Sequence, residues 1–392
     1  MPFTAELPFA FYAIAAFVFG LLVGSFLNVV IWRVPRGESV VFPGSHCGSC
    51  GAPVKPYDNI PLISYAVLRG KCRVCKTHFS LIYPAVELLT GLLFLAVVYK
   101  SGLTWVAIAE MVFVAIMISL TFIDARHQLL PNVITYPAFL YSLAAIAFLS
   151  WIGSLTCLYL TDNPLCGFYS RFLDMGSEQT LIWQLRSIPS LAGGAILFTL
   201  ALPAFRLIDR LDDVLFGKYF EQAEEESESD SASSETEDVI WKRHNRIIQA
   251  LMILGVVAAA IWIVRGLTLQ SNEAAYEIAW RNLIRAAFGA LIGGGVIWLL
   301  RAAYFWSRGF EGMGLGDVKL MAVIGAFLGW QSAILVIILG SLLGSIVGLA
   351  LARKSEDGMK TALPFGVFLS PAATFALFFG ESIIQWYAGR FS

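Results

Sequence analysis

Along the 392-residue chain, runs of roughly a helix length of apolar positions alternate with short polar segments. Crossing the hydrocarbon core of a bilayer takes about 20 apolar residues in a helix. Runs of this character lie at 9–32, 82–99, 104–123, 133–151, 188–206, 248–265, 284–305, 318–331, 333–352 and 364–388. They predict an all-α fold, a polytopic bundle of about ten transmembrane helices. The first run, Phe9 to Trp32, is too long for a secretory apolar core and is followed by no cleavage-like site, so it reads as a retained helix. Composition agrees: 58% of residues are hydrophobic and 14% charged, against about 45–50% and about 25% in soluble domains. A globular enzyme with a single anchor is excluded.

Net charge is −1 and carries no information about partners. The lipid bilayer is the expected surrounding, and no nucleic acid is expected. Orientation follows from where Lys and Arg fall. The segment 33–81 is polar and basic, with Arg33, Arg36, Lys55, Arg69, Lys71, Arg73 and Lys76. Placing it in the cytoplasm puts the N-terminus outside. Asp124 and Arg126, the stretch Arg206 to His244, Arg308 to Asp317 and Arg353 to Lys360 then fall on the cytoplasmic side, and 152–187 and 266–283 outside.

Two further segments stand apart. Glu221 to Asp238, "EQAEEESESDSASSETED", is too acidic and too poor in apolar residues to fold, and reads as a solvated linker or as a docking segment. "LAGGAILFTLALPAFRLIDR" (191–210) and "LIGGGVIWLLRAAYFWSRG" (291–309) share a Leu-x-Gly-Gly start and a basic end. Partial duplication and common membrane composition explain that equally well.

The soluble segment holds two Cys-x-x-Cys pairs, Cys47/Cys50 and Cys72/Cys75. Four thiolates in two tight turns suit a closed tetrahedral zinc site. Disulfides or plain reduced thiols are the alternatives, and a cytoplasmic loop disfavours the former. Gly48 and Gly51 suit the first turn, and Gly70 precedes the second pair. His46 and His78 read as neighbours, not ligands. Cys157 and Cys166 share a loop placed outside and fit either a disulfide or free thiols.

Ionisable groups at membrane depth are costly and mark function. Asp317 follows glycines 312, 314 and 316 in "EGMGLGDVKL", and Asp124 closes the third run in "TFIDARHQLLPN". Glu87, in "YPAVELLTG", is a third candidate about a turn further in. Two carboxylates brought together share one proton, so that one takes a proton from water while the other polarises a carbonyl. The glycines would let the backbone turn sharply and a substrate strand approach. Each acid also has a plainer reading: Asp317 as a helix N-cap, Asp124 as a surface ion pair with Arg126.

These stretches resemble the bacterial type IV prepilin peptidases, bifunctional leader peptidases and N-methyltransferases. The resemblance rests on "GLLVGSFLNVVIWRVPRGESVVFPGSHCGSC", "DNIPLISYAVLRGKCRVCKTHFSLIYPAVELLTG", "FIDARHQLLPN", "GMGLGDVKL" and "LPFGVFLSPAA". It implies a membrane aspartyl protease with Asp124 and Asp317 as the catalytic pair. The substrates implied are the N-terminal segments of prepilins and pseudopilins of type IV pilus and type II secretion systems, cut after a glycine at the cytoplasmic edge of the bacterial inner membrane. It also implies methylation of the new N-terminus with S-adenosylmethionine. No glycine-rich Rossmann fingerprint points to the methyl-donor site. The chain departs from "IDLDHQLLPD" at Ala125, Arg126 and Asn132, and 152–283 is longer than the resemblance requires. Two helices in that insertion would keep Asp317 on the side of Asp124.

The expected organisation is therefore a first helix (1–32), a cytoplasmic tetracysteine zinc domain (33–81), helices carrying Asp124 (82–151), the insertion (152–283) and helices carrying the Gly-x-Gly-Asp motif (284–392). A transporter or proton relay using the two acids is the competing function; a relay would favour acids nearer the bilayer centre. A catalytically dead assembly scaffold is a third reading, against which the intact acids argue.

Overall fold

A computed structural model describes residues 8–159, 273–308, 313–352 and 364–390, with side chains at 8–150, 281–307, 313–350 and 364–390. The expected spans at 188–206 and 248–265, the acidic stretch, and Cys157 and Cys166 as a pair lie outside what can be described, as does Gly312. The helices are α1 (Phe9–Arg33), α2 (Ile63–Val67), α3 (Ile82–Ser101), α4 (Trp105–His127), α5 (Asn132–Tyr159), α6 (Glu273–Arg308), α7 (Leu315–Leu328), α8 (Trp330–Ala352) and α9 (Gly366–Ala388). Among the described residues there is no strand, only isolated bridges His46–Pro53 and Lys71–His78.

Seven described helices are long and apolar enough to cross a membrane, so the chain is a multi-pass membrane protein. The 14-residue α7 is not one of the seven; at 1.5 Å per residue it reaches about 21 Å, short of a hydrocarbon core of about 30 Å. Two segments expected as external loops are partly helical. α5 runs on to Tyr159, and α6 begins at Glu273 rather than 284. Helical hydrogen bonding does not stop where hydropathy falls, so polar residues such as Glu277 and Arg281 extend α6 past the apolar run.

The chain forms two compact units, Met1–Leu129 with Gly366–Thr374, and Leu130–Phe365 with Phe375–Ser392. In the first, α1 and α3 touch backbone to backbone. A Cβ on Gly20 would lie 2.8 Å from the Gly91 Cα, and one on Gly24 2.7 Å from the Glu87 Cα. Small residues of this kind let helices gain van der Waals contact where lipid supplies no hydrophobic drive. Asn28 Nδ2 donates to the Tyr83 carbonyl at 3.0 Å and fixes the register of the pair. At their other end, fully buried Glu110 of α4 accepts from Lys100 Nζ and Ser101 Oγ, both at 2.6 Å. A buried acid so satisfied is a structural pair.

In the second unit α7 packs on α6 along Gly289, Gly293 and Gly294. A Cβ on Gly289 would overlap the Gly325 carbonyl oxygen, and one on Gly325 the Gly289 carbonyl oxygen. Asn282 Nδ2 donates to Ser150 Oγ at 3.0 Å, joining α6 to α5, and Arg301 Nε donates to the Met313 carbonyl at 3.1 Å, anchoring the turn into α7. Gly325→Ala is therefore expected to cost about 1–3 kcal/mol as overpacking and to lower the melting temperature in detergent. Gly295→Ala is the control, because its Cβ meets nothing within 4 Å. Equal melting temperatures for the two variants would contradict this seam.

Candidate active site and metal centre

Between α1 and α3 the two Cys-x-x-Cys pairs form matching hairpins. Cys47 N donates to the Ala52 carbonyl at 2.9 Å and Gly51 N to the Cys47 carbonyl at 2.8 Å. In the second, Cys72 N donates to the Thr77 carbonyl at 2.9 Å and Lys76 N to the Cys72 carbonyl at 3.1 Å. The position after each pair is left-handed, Gly51 at φ 69° and Lys76 at φ 60°. Gly51 thus suits its turn, whereas Gly48 has no positive φ and no close neighbour, so the turn does not depend on it.

The four sulfurs lie within 4.8 Å of one another. Cys47 Sγ and Cys75 Sγ are 3.7 Å apart, close to the edge of about 3.8 Å of a tetrahedron with Zn–S bonds of about 2.3 Å. The Thr77 hydroxyl and N–H hold the Cys75 thiol down to about 6, and the N–H groups of Cys50 and Ser49 lower Cys47. Cys50 is pulled down by the Ala52 N–H but pushed further up by its thiol neighbours Cys75, Cys47 and Cys72, to about 11. Four thiolates this close would repel one another without a cation, so the cluster is compatible with a metal site. His46 Nδ1 faces the Gly44 carbonyl at 3.0 Å; among the described residues the metal-competent group is the four cysteines.

The segment linking the hairpins is braced. Arg73 Nε donates to Asp58 Oδ2 at 2.8 Å, and this guanidinium holds the Asp58 carboxyl below its ordinary value. Pro61 to Ile63 form a three-residue γ-turn, Ile63 N donating to the Pro61 carbonyl at 2.6 Å, with Leu62 at φ 57°, ψ −46°. That conformation is rare for a residue with a Cβ. Glu87 holds it, its Oε2 accepting the Leu62 N–H at 2.9 Å. The hydropathy pattern marks Glu87 as an unusual acid, but nothing local to it names this partner.

Asp124 is buried in the last turn of α4, which runs three residues beyond it. Its Oδ2 accepts the Val367 N–H at 3.0 Å, so the carboxylate meets the open first turn of α9. Among the described residues no ion pair joins it to Arg126. Residues two apart on a helix point away from each other, and the Arg126 guanidinium lies 5.7 Å from the Trp32 ring centre. The surface ion-pair reading is thereby corrected.

Asp317 is buried in the first turn of α7, third in the helix, behind the N-cap Gly314. It is not the cap itself; its N–H donates to the Gly314 carbonyl at 3.2 Å. The hinge reading of the glycines also changes. Neither Gly314 nor Gly316 has positive φ. Gly316 is needed for closeness, since a Cβ there would lie 2.9 Å from the Leu130 Cβ. Behind them, Lys319 Nζ donates to Asn132 Oδ1 at 2.8 Å, tying α7 to the start of α5. Asp124 belongs to the first unit and Asp317 to the second.

Two family models match this chain, the Bacterial Peptidase A24 N-terminal domain over residues 18–101 and the Type IV leader peptidase family over residues 243–349. Between them they take in all four cysteines, Glu87 and Asp317. Both parts of the chain are thus similar to the type IV leader peptidases. Curated relatives extend the likeness between and beyond those matches. A prepilin leader peptidase/N-methyltransferase of Pseudomonas aeruginosa is 28% identical over 410 aligned positions, 99% of this chain and 97% of the relative. One of Neisseria gonorrhoeae is 37% identical over 203 positions, 46% of this chain and 66% of the relative. One of Myxococcus xanthus is 47% identical over 133 positions, 34% and 40% of the two chains. No solved structure matches this chain.

Proposed function

We propose that this protein is an aspartyl endopeptidase of the bacterial inner membrane that removes the leader of type IV prepilins and pseudopilins and then methylates the new N-terminus. The observation that carries the reading is that two buried acids sit at helix ends, Asp124 in the last turn of the membrane helix α4 and Asp317 in the first turn of the short α7, in a chain that aligns along 99% of its length with a named leader peptidase/N-methyltransferase.

In this reading Asp124 and Asp317 share one proton on the cytoplasmic side. The charged member takes a proton from water, the oxygen attacks the carbonyl of the substrate glycine and the protonated member gives its proton to that carbonyl oxygen; the tetrahedral adduct then collapses, breaking the C–N bond as the amine takes the proton drawn from water. Asp124 suits the task because a backbone N–H holds it and, among the described residues, no ion pair neutralises it. The apolar leader-bearing helix of the substrate stays in the bilayer, so only its polar edge has to reach the acids. The four cysteines hold a structural zinc with no open position, which fixes the cytoplasmic domain. S-adenosylmethionine supplies the methyl group: the substrate's neutral amine attacks the methyl carbon, the carbon–sulfur electrons return to sulfur, and the amine loses a proton.

The test is incubation of detergent-purified protein with a prepilin and S-adenosylmethionine, followed by mass spectrometry of the product. The expected product lacks its leader and carries one methyl group on the terminal nitrogen. Intact prepilin from active, folded preparations would overturn the proposal.

A further inference from the structure

We propose that the cavity between the tetracysteine hairpins and the adjoining ends of α1 and α3 is the binding site for S-adenosylmethionine. This deepens the methyltransferase half of the function above and rests on it. The cavity has a volume of about 540 Å³ and lies wholly within the first unit. Sites for ligands of this size class occupy about 300–1,000 Å³. Asn28 and Trp32 of α1, Asn59 and Leu62 of the linking segment, Tyr65 of α2 and Glu87 of α3 line it.

Its walls are pre-shaped. Leu62 is held in a disfavoured backbone conformation by the Glu87 carboxylate, and such strain persists where the surroundings over-determine it, often at ligand clamps. Tyr65 is fixed as well. Its hydroxyl donates to the Phe79 carbonyl at 3.1 Å, and Gly70, at φ 67°, leaves space for it, since a Cβ there would lie 2.7 Å from the Tyr65 oxygen. These braces join residues far apart in sequence around one empty volume, which close packing alone would have filled.

The walls carry both signs of charge, Glu38, Asp58 and Glu87 beside Arg33, Lys71 and Arg126. S-adenosylmethionine offers a cationic sulfonium, an ammonium, a carboxylate, two ribose hydroxyls and a flat adenine, and so needs both. Glu87 is a carboxylate only 9% exposed that faces the cavity and takes no part in the water-activating pair. It suits hydroxyl or ammonium donors, as carboxylates do at ribose sites. The Tyr65 ring supplies an aromatic face for the base.

The experiment measures binding of tritiated S-adenosylmethionine to the full chain in detergent, with leader cleavage of the same preparations as the check on folding. Glu87→Gln keeps an oxygen for the Leu62 N–H and removes the charge. Its Kd is expected to rise about tenfold or more, the size of a lost charged hydrogen bond. Asn59→Trp, at an exposed position of the cavity wall, is expected to block binding by bulk. Hydrogen exchange on the unmutated protein gives an independent readout, with donor slowing exchange at 57–65 and 83–87. Wild-type affinity in both variants, or no protection of those segments in a protein that binds donor, would overturn the site. A wild-type protein that cleaves prepilin but neither binds the donor nor methylates would instead remove the transferase reading itself.

Discussion

Asp124→Asn and Asp317→Asn are each expected to reduce leader cleavage by about 10⁴-fold or more, the scale seen when one member of a concerted catalytic group is lost. Asparagine is the informative replacement. At 124 it keeps an oxygen to accept the Val367 N–H, so the start of α9 remains capped and only proton chemistry is removed. Alanine would also uncap that helix, at about 1 kcal/mol, and would mix folding with catalysis. At 317 the side chain sits in the first turn of α7 while Gly314 caps the helix, so asparagine leaves the backbone arrangement intact. Both variants should insert, retain metal and methylate a pre-cut substrate. The wild-type rate should fall at both low and high pH, because one carboxyl must be protonated and the other charged. Single-turnover cleavage of a prepilin measures this, and full activity in either variant would remove the acid pair.

The second large effect is expected at the metal centre. The wild-type protein should carry one zinc per chain, and Cys47→Ser combined with Cys72→Ser should carry none. Zinc binding in small thiolate sites is worth about 10–16 kcal/mol, as much as the whole stability of a typical domain, about 5–15 kcal/mol. The hairpins have little else to hold them. Among the described residues their tertiary ties are chiefly the Arg73–Asp58 pair and the Arg33 contacts to the Ser39 and Gly44 carbonyls, and Arg73 is half exposed, so its ion pair is weak. Backbone hydrogen exchange across 44–80 should therefore become fast in the double variant. Elemental analysis and exchange together decide the point; a zinc-free wild type with ordered hairpins would contradict it.

Much of the architecture was legible because the bilayer imposes a length rule. Each expected span that falls within the described residues corresponds to a helix, including the short α7. What hydropathy did not reveal were the helix ends beyond the apolar runs, at Tyr159 and Glu273. The tetracysteine cluster was legible from two local spacings, because each hairpin is made by neighbours in sequence. The settings of the acids were not. Asp124 meets Val367, 243 residues away, and no local pattern encodes that contact. Gly316 read as a hinge, but its smallness serves packing against Leu130, a distinction that needs three dimensions. Glu110 lies within an apolar run without being noticeable as a pair, because Lys100 and Ser101 reach it across a helix turn-around. The Leu62 turn is the least legible feature, since leucine is a residue that sequence rules keep out of positive φ.

The most direct test of the central claim, that Asp124 and Asp317 meet in one site, is chemical cross-linking in native membranes. Asp124→Cys and Asp317→Cys are combined in one chain, treated with a short bifunctional thiol reagent, digested and read by mass spectrometry. The expected result is a cross-linked peptide pair joining positions 124 and 317, diminished when a prepilin occupies the site. Ready alkylation of both thiols with no link between them, in a chain that inserts and binds zinc, would contradict the claim.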